Sequence, residues 1–294
     1  MSKIGKILLT GFILLLCGGI IFAICLAASG WDIRFLSNVT VKEIEYTEVP
    51  ETHLMNITID YENTDILVYT QDTPSVRIVY PQAFHKNGNK ATEVTVTETE
   101  DTLKITEKSI NGWQFWNFIT PKTKLYLPAD RTYTLTLCTN NGNVTLDGTA
   151  YNVQVLNLET NNGNITVNSE VHSQTKITAE TDNGNVKIKQ AIAVENIRLQ
   201  SNNGKVTAEN GVKANTLYIE TNNGDLSIMR ADGQNITLET NVGNITSTIV
   251  GQQADFTIDA DTDVGTTNLH SQTLGAKKLT VKTDVGNITV NFTE

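Results

Sequence analysis

Cysteine is almost missing from this chain: three in 294 residues, at positions 17, 25 and 138. Cys17 and Cys25 fall inside an apolar run, which leaves Cys138 alone in the remainder, so there is no disulfide framework. Tryptophan is equally scarce, with three copies and none after Trp116. Four histidines, His53, His85, His172 and His270, show no metal-ligand spacing. No Gly-x-Ser-x-Gly, no P-loop and no Gly-Gly-x-Gly-x-Asp calcium repeat occurs. Basic residues are outnumbered: leaving out Lys3 and Lys6, which precede the apolar run, 20 Lys and Arg stand against 32 Asp and Glu, a net charge of −12. Such a surface repels nucleic acid and would attract cationic peptides or divalent ions, although solubility alone also accounts for it. No catalytic residue, cofactor or metal is expected.

What is present is a repeat. The phrase Thr139-Asn140-Asn141-Gly142-Asn143-Val144 returns around Gly163, Gly184, Gly204, Gly224, Gly243, Gly265 and Gly286. A fixed period of about 20 residues means one supersecondary unit stacked on itself. Within a unit the apolar residues alternate, as in Leu156, Leu158, then Asn-Asn-Gly, then Ile165 and Val167. Alternation puts them on one strand face, and Asn and Gly are the residues of tight corners. Glu159, Glu180, Gln200, Glu220 and Glu239 fall outward. A β-hairpin meander or propeller is the rival, but a propeller blade needs about twice this period. The expected fold is all-β: a β-solenoid, parallel β-helix-like, with Asn and Thr stacked in ladders between coils. Each turn glycine is expected at positive φ.

Residues 7–28 carry no charge, a length that suits a membrane-spanning helix and exceeds a usual signal-peptide core. Lys3 and Lys6 ahead of it place the N-terminus in the cytoplasm and everything after it outside. Cleavage after Ala27-Ala28-Ser29, with secretion, is the alternative. The expected organisation is therefore residues 1–6 cytoplasmic, 7–28 transmembrane, 29–36 a juxtamembrane linker, 37–130 a β-rich capping region and 131–294 the solenoid. Within 37–130, Asn63-Thr64-Asp65-Ile66 reads as a worn first repeat and Glu93–Glu107 as a hairpin.

One segment breaks the pattern. Trp113, Phe115, Trp116 and Phe118 crowd into six residues of a chain that is 6% aromatic. They either plug the open end of the stack or form an exposed loop that touches lipid, glycan or a partner. Asp182, Asp263 and Asp284 share a repeat position, as paired acids of a polysaccharide-cleaving β-helix would. Asn202, Asn222 and Asn241 fill that position in other copies, so exchange of Asn and Asp in a tight turn explains it.

Together these marks carry a resemblance: an anchor, the Asn63-Thr64-Asp65-Ile66-x-Val68 strand, the Lys122-x-x-Leu125-x-Leu127-Pro128 lead-in and the Thr-Asn-Asn-Gly-Asn-Val coils. Over residues 40–293 the chain resembles the bacterial putative-adhesin family of unknown function. The resemblance implies a cell-envelope protein, of the kind found beside envelope-stress systems, with no catalytic residues to carry over. The expected function is binding, adhesion or scaffolding at the cell membrane, with an unidentified protein, peptide or glycan partner and no enzymatic activity. A carbohydrate-active β-helix enzyme and a passive stalk are the alternatives. The last coil, Leu279–Val290, ends without a cover, so a homo-oligomer through that C-terminal edge is also expected.

Overall fold

The computed structural model describes residues 3–28, 30–31, 39–48, 55–109 and 121–293, with backbone alone for residues 3–10 and 13. From residue 55 onward the chain builds a stack of coils joined by parallel pairing. Each coil has one strand that ends at the Asn-Gly corner and a second that starts just beyond it, as Asn196–Asn203 is followed by Val206–Ala208. Like positions stack on like. Leu156, Ile177, Ile197, Leu217, Ile236 and Leu279 form one column in register, and each is at most 1% exposed. The period-2 alternation thus delivers a continuous aliphatic core, one rung per coil.

The order of coils along the stack departs from chain order at both ends. At the first end Thr102–Ser109 lies outermost, then Asn56–Tyr61, then Thr132–Asn141. On the second face Lys122–Pro128, Asp65–Gln71 and Val144–Asp147 follow the same order. At the other end Asn235–Val242 pairs with Lys277–Val285, which pairs with the outermost strand Phe256–Val264. The coil begun by Asn63-Thr64 is a true repeat, because the Thr139 hydroxyl donates to Thr64 O at 3.0 Å where later coils use a glycine carbonyl.

Both ends are blunted, as edge strands require. The hairpin read at Glu93–Glu107 lays Thr92–Glu98 antiparallel on Thr102–Ser109. Arg77–His85 covers Lys122–Pro128, and Val39–Thr47 covers Arg77–His85, both antiparallel. Arg131 reaches the buried Glu48 carboxylate at 2.9 Å. The same carboxylate accepts from Val76 N at 2.8 Å, which ties this cover to the stack.

The bare C-terminal edge expected at Leu279–Val290 is absent, since that coil lies second from the end. The outermost strand is covered by the loop after it. Ile258 and Gln272 exchange backbone hydrogen bonds of 2.8 and 2.9 Å. The Gln272 amide donates to Phe256 O at 3.0 Å, and Ala260 N donates to the Ser271 hydroxyl at 3.2 Å. On the second face the Asn268 side chain takes both backbone groups of Val290, at 2.8 and 2.9 Å. Leu269 is 2% exposed on the core, and the Phe292 ring packs on Phe256 with centroids 5.8 Å apart.

Residues Lys3–Ala28 form one α-helix. Among the described residues no helix is long and apolar enough to cross a membrane. The span expected at residues 7–28 is therefore not supported.

Candidate functional site

The repeat phrase folds into a corner with three stacked columns. A buried Thr or Ser precedes the corner, and its hydroxyl donates to the corner glycine carbonyl of the neighbouring coil. Thr160 reaches Gly142 O at 2.9 Å, Thr181 reaches Gly163 O at 2.9 Å, Ser201 reaches Gly184 O at 2.8 Å and Thr221 reaches Gly204 O at 2.8 Å. The next two residues face solvent. In the second of these columns the Asn162 amide donates to Asn141 Oδ1 at 3.0 Å, and Asn183, Asn203 and Asn223 repeat the rung. Beyond the glycine, Asn143 Oδ1 accepts from Asn164 N at 2.9 Å and Asn164 Oδ1 accepts from Asn185 N at 2.8 Å.

All eight turn glycines, Gly142, Gly163, Gly184, Gly204, Gly224, Gly243, Gly265 and Gly286, occupy this corner, but positive φ is not what selects them. Gly142, Gly163 and Gly204 are outside the left-handed range, and the other five sit at its extended limit, φ 155° to 159°. The selection is steric. A Cβ on Gly163 would lie closer than 3.0 Å to the Gly142 carbonyl, and each later glycine meets its neighbour in the same way. Like-on-like stacking brings backbone against backbone at this column, where no side chain fits.

The outward positions of the long face form a second set of columns. Asp60, Cys138, Glu159, Glu180, Gln200 and Glu220 are consecutive neighbours, followed by Glu239. A groove of about 140 Å³ beside them is lined by Glu159, Glu180, Asp182, Gln200 and Asn202 among others. Its carboxylates have partners: Arg198 Nε sits 2.6 Å from Glu180, and the Asn202 amide donates to Asp182 at 2.6 Å. Burial, then the charges of Glu159 and Asp60, push the Cys138 thiol up to about 11, which keeps it protonated at neutral pH. Asp263 and Asp284 lie on the corner column far along the stack from Asp182. No group of three or more His, Cys, Asp or Glu side chains able to hold a metal occurs among the described residues.

The four aromatics Trp113, Phe115, Trp116 and Phe118 lie outside the described residues. A feature missed in the sequence is the exchange of the second corner Asn for Val242, Val285 and Val264, which are 50%, 46% and 63% exposed in three adjacent strands. Aligning the repeats on their glycines would have found it.

A stacked-coil, all-β protein is what this fold defines. Residues 54–294 match the family model Toastrack DUF4097, and the chain belongs to that family. No curated protein matches. Among solved structures the chain is similar to a putative adhesin from Bacteroides fragilis, with 16% identity over 86% of this chain and 97% of that one, at a TM-score of 0.44. It is similar to a putative lipid binding protein from Parabacteroides distasonis, with 15% identity over 88% and 98%, at a TM-score of 0.45. A putative adhesin from Parabacteroides merdae shares 13% identity over 88% and 97%, at a TM-score of 0.37.

Proposed function

We propose that this protein is a binding or scaffolding module held at the outer face of a bacterial cell membrane. The anchor is the uncharged stretch 7–28, and Lys3 and Lys6 orient it with the coil stack outside. The observation that carries the binding role is the outward column of the long face, where Glu159 stands beside Glu180 and Glu220 beside Glu239, with Asp60 beyond Cys138 at one end and Lys282 next to Glu239 at the other. Like charges in adjacent strands repel one another, and a cationic partner would relieve that repulsion. The partner class is a basic peptide or the basic face of an envelope protein, and the setting is the envelope-stress response implied by the family. Protease added to intact protoplasts should digest residues 30–294; protection would refute the orientation. Titration with an oligolysine peptide should show salt-sensitive binding that weakens in the double variant Glu159→Gln, Glu180→Gln. Equal binding by both forms would refute the role of this face.

One observation favours a second reading. Glu159, Glu180 and Asp182 line a single groove, as the acids of a carbohydrate-active β-helix would. Release of reducing ends from cell-wall polysaccharide, lost in Glu180→Gln, would establish it. No release would leave the binding reading alone.

A further inference from the structure

Asn-Gly dipeptides are chemically labile. The glycine nitrogen, unshielded by a side chain on its own residue, attacks the Asn Cγ; a C–N bond forms and ammonia leaves. Water then opens the cyclic imide to aspartate or isoaspartate. This chain carries eight Asn-Gly dipeptides, beginning at residues 87, 111, 141, 162, 183, 203, 210 and 223. Asn111-Gly112 lies outside the described residues. The other seven divide sharply by environment.

Five of them form the corner ladder, and there both reacting groups are held by other coils. Each Asn amide donates to the Asn of the neighbouring coil at 3.0 to 3.1 Å. Each glycine N–H donates in the other direction: Gly142 to Asn162 O, Gly163 to Asn183 O, Gly184 to Asn203 O, Gly204 to Asn223 O and Gly224 to Val242 O, at 2.9 to 3.2 Å. Attack requires the nitrogen to leave its acceptor and the amide to leave its rung, which means separating coils. The two remaining dipeptides have no such restraint. Gly88 N donates to His85 O at 2.8 Å and Asn87 Oδ1 accepts from Asn89 N at 3.1 Å, both bonds lying within one turn that opens without separating coils. At the other, the Asn210 N–H donates to Lys189 O at 2.7 Å and the buried Gly211 carbonyl accepts from Ala191 N at 3.1 Å, but the two reacting groups, the exposed Asn210 side chain and Gly211 N, have no hydrogen-bond partner among the described residues.

We propose that the coil ladder shields its five Asn-Gly dipeptides from deamidation, and that Asn87 and Asn210 are the modification sites of the described chain. A second observation points the same way. A stack opens most readily at its ends. In the last three coils of one end the ladder position holds Val242, Val285 and Val264, so the labile dipeptide is missing where shielding is weakest. Asp is also absent from this column while it enters the neighbouring one at Asp182, Asp263 and Asp284. A carboxylate cannot donate the rung, so conversion there would break the ladder.

The test is peptide mapping by mass spectrometry of the full chain in detergent, aged at mildly alkaline pH, beside a urea-denatured sample. Loss of two hydrogen bonds before reaction should slow each ladder site by about tenfold or more relative to its own denatured rate. Asn87 and Asn210 should stay within tenfold of theirs. A ladder site slowed less than tenfold overturns the shielding, and Asn87 or Asn210 slowed as much overturns the assignment of that site. The variants Val242→Asn and Val264→Asn place the same dipeptide inside the stack and on its outermost strand. The second should convert faster; equal rates would show that coil position plays no part.

Discussion

Replacing Gly204 by alanine adds one methyl group at the middle of the stack. That Cβ would overlap the Gly184 carbonyl and stand 3.1 Å from the Ser201 hydroxyl. The obstacle is backbone, so no side chain can turn away; the coils must part. Parting strains three bonds between these two coils: Ser201 Oγ to Gly184 O at 2.8 Å, Gly184 N to Asn203 O at 3.0 Å and Val186 N to Lys205 O at 3.0 Å. At about 1 kcal/mol for each bond, the loss is about 3 kcal/mol, within the range for overpacking a tight site. For a domain of this size that lowers Tm by roughly 6–12 °C. The comparison is Gly88→Ala, where φ is +88° and nothing lies within 4 Å. It should cost only about 1 kcal/mol, from backbone conformation alone. Both are measured by urea unfolding followed by far-UV circular dichroism. If Gly204→Ala proved no worse than Gly88→Ala, the steric account of the glycine column would be wrong.

Other outcomes follow from the same geometry. Leu226, 1% exposed, should lose roughly 2–5 kcal/mol on truncation to alanine, whereas Glu220→Ala should stay within about 0.5 kcal/mol; equal losses in denaturation would invert the face assignment. Thr160→Val leaves the Gly142 carbonyl without its hydroxyl donor and should cost about 1–3 kcal/mol. Thr160→Ser should cost far less, since Ser201 does the same work in its coil. Burial raises the pKa of Glu107, against hydrogen bonds from Asn63 N and the Thr64 hydroxyl that lower it. The folded state therefore holds this proton to higher pH than the unfolded chain. Its contribution to stability is greatest below the ordinary carboxylate range, about 4.3, and declines as pH rises through the raised value. Glu107→Gln should flatten that part of the stability–pH curve, and an unchanged slope would show that Glu107 does not titrate there.

Alternation and period are enough to give the repeating unit of this protein. Period-2 alternation put Ile219 and Leu226 inside and Glu220 outside, and the recurring corner phrase fixed where each coil turns. Those are local facts: a residue's face follows from its place in a strand, and a repeat that copies the strand copies the face. The worn coil at Asn63 and the hairpin at Glu93–Glu107 were legible for the same reason. Three features were decided only by the tertiary structure. Order along the stack was one, because the coils share one grammar and any two can pair; the chain places Phe256–Val264 outside Lys277–Val285, and the loop carrying Ser271 and Gln272 covers it. The reason for glycine was another. One coil alone suggests a strained φ, but the constraint is the neighbouring coil's carbonyl, which exists only once the coils stack. The outward acid column was the third: Glu159 and Glu180 are 21 residues apart in the chain and paired across the sheet. Charge composition could state the sign of the surface, while the parallel register set its spacing.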